Sequence, residues 1–103
     1  MNAPAPAPLD TIRTFLGAIP DDEHERRRKL ESYRNAASAL VARTDCDTAR
    51  QLAWLVIEWA TPFLYTPAPL EWLDQLNQLA KRLMLTALQA EQMDDLLKGA
   101  AHE

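Results

Sequence analysis

The chain has 103 residues, 48% of them hydrophobic and 25% charged, which suits one domain with a buried core and is too short for two. The net charge of −4 is uneven: residues 1–50 carry eight acidic and eight basic side chains, whereas residues 51–103 carry seven acidic and three basic. That acidic excess argues against the second half as a nucleic-acid surface, where Lys and Arg should dominate.

Residues 1–8 read MNAPAPAP. Alternating Ala and Pro disfavours helix and sheet alike, so a disordered arm is expected there, followed by a single helical domain over 9–98. A short first helix is predicted from Leu9 to Ile19, since Leu9, Ile12, Leu16 and Ile19 recur at spacings of three and four. Gly17 weakens its last turn and Pro20 resets the chain. The second helix is predicted over Asp22–Arg43, with Asp21 as its N-cap and Asp22 and Glu23 in the first turn. Its apolar stripe is narrow (Leu30, Tyr33, Ala37, Leu40, Val41), and its opening DDEHERRRK has none, so that end is expected to face solvent.

Thr44 and Asp47 have the spacing of a capping box ahead of a third helix running to Phe63 or Leu64. This segment contains LAWLVIEWA, Leu52–Ala60, the most apolar stretch of the chain. Leu52, Val56, Trp59, Ala60 and Phe63 share one face, and Ala53, Ile57 and Leu64 extend it past half the circumference. A helix so apolar needs cover on several sides, so it is placed at the centre of the fold. Pro62, Pro67 and Pro69 then build a stiff corner. The fourth helix starts near Pro69 or Leu70 and keeps its periodicity to about Leu97, through Leu70, Leu73, Leu76, Ala80, Leu83 and Ala87. Thr86 and Gln89 also have capping-box spacing, which offers a break into two helices near residues 86–91. Gly99 is the expected stop, with a frayed tail over 99–103. The expected fold is all-α: a four- or five-helix bundle, partly antiparallel, with helix 3 buried and helix 4 long.

Chemistry is sparse. A single cysteine, Cys46, excludes an internal disulfide, and it lies between Asp45 and Asp47, which oppose thiolate formation. The histidines, His24 and His102, have no partners at metal-ligand spacing, and no Glu-x-x-His pair is present. No glycine-rich phosphate loop occurs, and no nucleophile is set beside a base and an orienting group. A catalytic, metal or cofactor site is therefore not expected. Nor is a secretory leader or a membrane span, because no apolar run approaches about 18 residues; a cytoplasmic protein is the expectation.

Three surfaces remain. Arg26, Arg27, Arg28 and Lys29 form the one basic run, suited to phosphates or an acidic partner. Acidic neighbours surround it, and Glu23–Arg27 and Glu25–Lys29 have the favourable i,i+4 order for ion pairs. On the polar-leaning side of helix 3, Arg50, Trp54 and Glu58 offer an aromatic anchor with charged neighbours. Tyr65 and Trp72 flank the proline corner and, with Trp54, suggest one shallow aromatic site. The leucine-rich face of helix 4 suggests a homodimer. The reading that follows is a non-catalytic helical protein-binding module: an adaptor, inhibitor, chaperone or immunity-type factor. The alternatives are a small nucleic-acid-associated regulator using Arg26–Lys29, and a small-molecule binder or enzyme with a pocket near Pro62–Pro69.

Overall fold

Proline and glycine set the borders of the elements. The computed structural model describes residues 7–101, with side chains described for 7–97. Four α-helices follow in order: α1 (Pro8–Phe15), α2 (Glu23–Arg43), α3 (Asp47–Ala60) and α4 (Leu70–Ala101), with a short 3-10 turn at Thr61–Phe63. No strand occurs among the described residues. The first six residues of the Ala/Pro arm and the last two of the tail lie outside the described residues.

α1 is shorter than its periodicity suggests. Leu16 is extended and Gly17 takes φ +127°, a conformation that ends a helix and suits glycine. Asp22, not Asp21, caps α2: its carboxylate accepts the Glu25 N–H at 3.1 Å. Cys46 occupies the N-cap of α3, so the Thr44–Asp47 capping box does not form. Thr44 Oγ1 instead accepts the Cys46 N–H at 3.2 Å. α3 stops at Ala60 because Pro62 has no N–H to continue the ladder, and the chain tightens into the 3-10 turn. Pro69 precedes α4, and its carbonyl accepts from Trp72 and Leu73.

α4 is continuous. The break offered at 86–91 does not occur, because no glycine or proline interrupts the chain between Leu70 and Lys98. The helix also runs past Gly99 to Ala101. A glycine costs helix only about 1 kcal/mol relative to alanine, which is no absolute stop.

The bundle is up-down-up-down. One end gathers the start of α1, the end of α2, the start of α3 and the last third of α4. Near the other, Tyr33 meets Phe15 and Asn77, while Trp59 meets Trp72. α1 packs on α2 and α4, and α3 packs on α2 and α4. The core holds Ile12, Leu30, Tyr33, Val56, Leu73, Leu76 and Leu83, all nearly or fully inaccessible. Each such side chain stabilises the fold by roughly 1.5–3 kcal/mol relative to exposure. Alanines at Ala37, Ala49, Ala53, Ala60 and Ala80 are fully buried and let the helices approach closely.

α3 bridges the two long helices, but it is not covered on several sides. It buries Ala49, Ala53, Val56 and Ala60, while Gln51, Trp54, Leu55 and Glu58 face outward. With two packed neighbours, one stripe is enough to hold it, and the small residues of that stripe do the packing. Length mismatch sets the shape: α1 spans about 12 Å and α4 about 48 Å at 1.5 Å per residue. α4 therefore outruns its partners. The radius of gyration, 15.0 Å, exceeds the roughly 13 Å of a compact chain of about 100 residues.

Candidate functional site

The overrun of α4 creates a groove of about 720 Å³ at one end of the bundle. Its floor and walls come from Pro8 and Leu9 of α1, Leu40 of α2, Cys46 at the cap of α3, and Ala87, Leu88, Ala90, Met93 and Leu97 of α4. Ala90, Met93 and Leu97 recur at spacings of three and four, so they continue the apolar stripe of α4 beyond the last turn that the bundle covers. Every residue from Glu91 to Leu97 is exposed. Met93 is 62% exposed and Leu97 67%, unusual values for large apolar side chains at adjacent turns. Around this floor stand Asp10, Asp45, Glu91 and Asp94, with Arg13 and Arg43. Arg13 lies 3.9 Å from Asp10, with both side chains largely in solvent. Cys46 is a free, half-buried thiol in the same wall.

The basic run does not form one exposed face. Lys29 is 3% exposed, and its ammonium donates to the carbonyls of Gly17 and Ala18 at 3.3 and 3.4 Å. Burial lowers its pKa from 10.5. Arg26 Nε donates to Pro20 O at 2.6 Å. The expected Glu23–Arg27 and Glu25–Lys29 pairs are not formed; ion pairs join Arg13 to Asp10 and Arg50 to Asp47 instead. The physical reason is the linker between α1 and α2. Its carbonyls have lost their helical partners, and long side chains from α2 reach across to satisfy them. Arg28 is exposed and Arg27 half-buried.

The aromatic residues separate. Trp72 stacks on Trp59 at 4.2 Å and meets Phe63 edge-on at 5.2 Å, and its indole N–H donates to Trp59 O at 2.8 Å. It thus pins the proline corner to α3. Tyr65 is 87% exposed, and Trp54 is 51% exposed on α3 beside Leu55. Arg50 is tied down at the start of α3: one guanidinium nitrogen lies 3.0 Å from Asp47, and another donates to Thr44 O at 2.8 Å. Near the corner there is a cavity of about 120 Å³, lined by residues that include Glu23, Arg27, Phe63 and Pro67, but not Trp54, Tyr65 or Trp72. That is below the roughly 300 Å³ at which small-molecule pockets begin.

Among the described residues, no group of three or more His, Cys, Asp or Glu side chains is placed to hold a metal ion. No helix there is long and apolar enough to cross a membrane. The groove is not legible in the sequence. The stripe Ala90–Met93–Leu97 is visible there; its lack of cover follows only from comparing helix lengths. Compared with known proteins, the chain matches no family model, no curated protein and no solved structure.

Proposed function

We propose that the protein is a non-catalytic binding module that holds a helical segment of another protein in the groove at the end of α4. The observation that carries this reading is the pair Met93 and Leu97, 62% and 67% exposed on the wall of a groove of about 720 Å³. Exposed apolar side chains at helical spacing above an apolar floor match the way amphipathic helices seat in grooves. The exposed pair Trp54 and Leu55 on α3 is a second apolar surface available to a protein partner. The nucleic-acid reading loses support, because Lys29 and Arg26 are committed to the α1–α2 linker.

The test is affinity capture from the native cell with the wild-type chain, a Met93→Gln/Leu97→Gln variant and Trp54→Ala, followed by direct binding of the purified captured protein. A purified partner that binds wild type and Trp54→Ala but not the groove variant supports the reading. A partner lost only with Trp54→Ala moves the site to α3. Recovery of nucleic acid, lost when Arg27 and Arg28 are changed to Glu, overturns it.

A further inference from the structure

Arg26 and Arg27 share the cavity at the proline corner, beside the first turns of α2, and it has no residue in common with the groove. Two properties set its chemistry: a surplus of donors and a small size. A guanidinium carries five N–H groups. Arg26 commits its Nε–H to Pro20 O at 2.6 Å, and its two terminal nitrogens have no acceptor among the described residues. Arg27 is half-buried and likewise has none, since its pair with Glu23 does not form. The Thr66 hydroxyl stands on the same cavity, and its long 3.3 Å bond to Pro62 O is readily exchanged. At about 120 Å³ the cavity is too small for a drug-sized ligand but roomy for one of a few atoms. Its other walls, Leu30, Phe63, Pro67 and Ala68, are apolar. Leu30 is buried, and Phe63 and Ala68 are half-buried. Charges therefore attract more strongly here than on an open surface.

We infer that this cavity binds one phosphate group, as inorganic phosphate or as the terminal group of a small phosphomonoester. A carboxylate offers two oxygens, which one guanidinium fork satisfies. A tetrahedral phosphate offers three or four, and can engage two forks and a hydroxyl at once. The Arg26 fork is already held by its bond to the linker, so ordering it on a ligand costs little. Glu23 is the carboxylate on the lining, so two cations face one anion. A polynucleotide does not suit the place. Lys29 is turned to the linker, and a cavity of this size takes a single phosphate, not a run of them.

The test is a titration of the full chain with inorganic phosphate at constant ionic strength, followed by the Arg Nε–H and backbone amide resonances of Arg26, Arg27 and Thr66. Saturation with a Kd of about 1 mM or tighter is expected. Arg27→Gln should weaken binding about tenfold or more, and Thr66→Val about threefold. Glu23→Gln should tighten it about two- to fivefold by removing the opposing charge. Arg28→Gln, at an exposed position off the cavity, should leave it unchanged. Acetate should bind at least about tenfold more weakly than phosphate. A second titration with methyl phosphate separates the two sources. Tighter binding than inorganic phosphate assigns the site to a phosphomonoester, and weaker binding assigns it to the free anion; either supports the inference if Arg27→Gln abolishes it. The absence of a saturable shift overturns the inference, as does acetate binding as tightly as phosphate. Equal losses in Arg27→Gln and Arg28→Gln would also overturn it, by reducing the effect to general attraction by the basic run. So would a single-stranded oligonucleotide that binds with a steep salt dependence where phosphate does not bind.

Discussion

Tyr33 of α2 and Asn77 of α4 meet through a 2.6 Å hydrogen bond from the tyrosine hydroxyl to the amide oxygen. Both also reach the end of α1. The Tyr33 hydroxyl lies 2.9 Å from Phe15 O, and Asn77 Nδ2 donates to Gly17 O at 2.9 Å. The hydroxyl has one proton and two acceptors, and the nearer one is Asn77. With Lys29 on Gly17 O and Ala18 O, these side chains close the linker that a glycine opens.

Removing the hydroxyl should therefore cost more than one ordinary hydrogen bond. Tyr33→Phe leaves the amide oxygen of Asn77 without its donor inside a tight contact, and a destabilisation of about 1–3 kcal/mol is expected. Asn77→Ala should cost a similar amount, and the double variant less than the sum, with a coupling of at least about 0.5 kcal/mol. Urea denaturation of the four proteins measures this cycle.

Tyr33 and Lys29 give stability opposite dependences on pH. Burial pushes the Tyr33 hydroxyl well above its ordinary value of 10.0. Above that value the unfolded chain releases this proton while the folded chain keeps it, so stability falls as pH rises. Burial lowers Lys29 below 10.5. Between its folded value and 10.5 the unfolded chain holds more protons, so the contribution of Lys29 rises with pH there and is flat above. Beyond that point Tyr33 controls the slope. Denaturation midpoints measured from about pH 8 to about pH 11.5 should fall at the alkaline end in the wild type and fall less in Tyr33→Phe. Lys29→Met should lose the rising contribution just below 10.5.

Gly17 tests backbone conformation apart from packing. A Cβ at this position meets nothing within 4 Å, so steric crowding does not enter. The φ of +127° is nevertheless one that an L-residue resists. Gly17→Ala is expected to destabilise by about 1–3 kcal/mol in thermal or urea unfolding, through strain alone.

Neighbours on α3 should behave oppositely. Ala53 is fully buried where α3 meets its neighbours, and Ala53→Leu should cost about 1–3 kcal/mol by overpacking. Trp54, one residue on, is half exposed, and Trp54→Ala should cost less than about 1 kcal/mol despite the larger loss of atoms. Calorimetry of the two variants makes the comparison.

Helix identity was readable from periodicity. Leu73, Leu76, Ala80, Leu83 and Ala87 are buried as their three- and four-residue spacing requires. The proline corner and the start of α4 followed from residues whose backbone is stiff. Charged and aromatic residues were harder to place. Lys29 reads as half of a surface pair with Glu25, yet the demand for its amine comes from linker carbonyls eleven and twelve residues earlier in the chain. Trp72 reads as a surface anchor, yet its ring lies on Trp59 across the corner. Trp54 reads from local pattern as either buried or exposed; only the packing of α2 and α4 around Ala53 and Val56 decides that it faces out. The groove is harder still. It is made by the end of α4 outrunning the other three helices among the described residues, a relation among four helix lengths.

The most direct measurement of the central claim is a methyl-selective NMR titration of the full chain with an amphipathic helical peptide that carries Leu at spacings of three and four. The resonances of Met93 and Leu97, with Leu9, Leu40 and Leu88 of the floor, should shift together and saturate, while those of Leu55 and Leu73 stay in place. Shifts confined to Leu55 and the Trp54 surface, or saturation with no change at Met93 and Leu97, would contradict it.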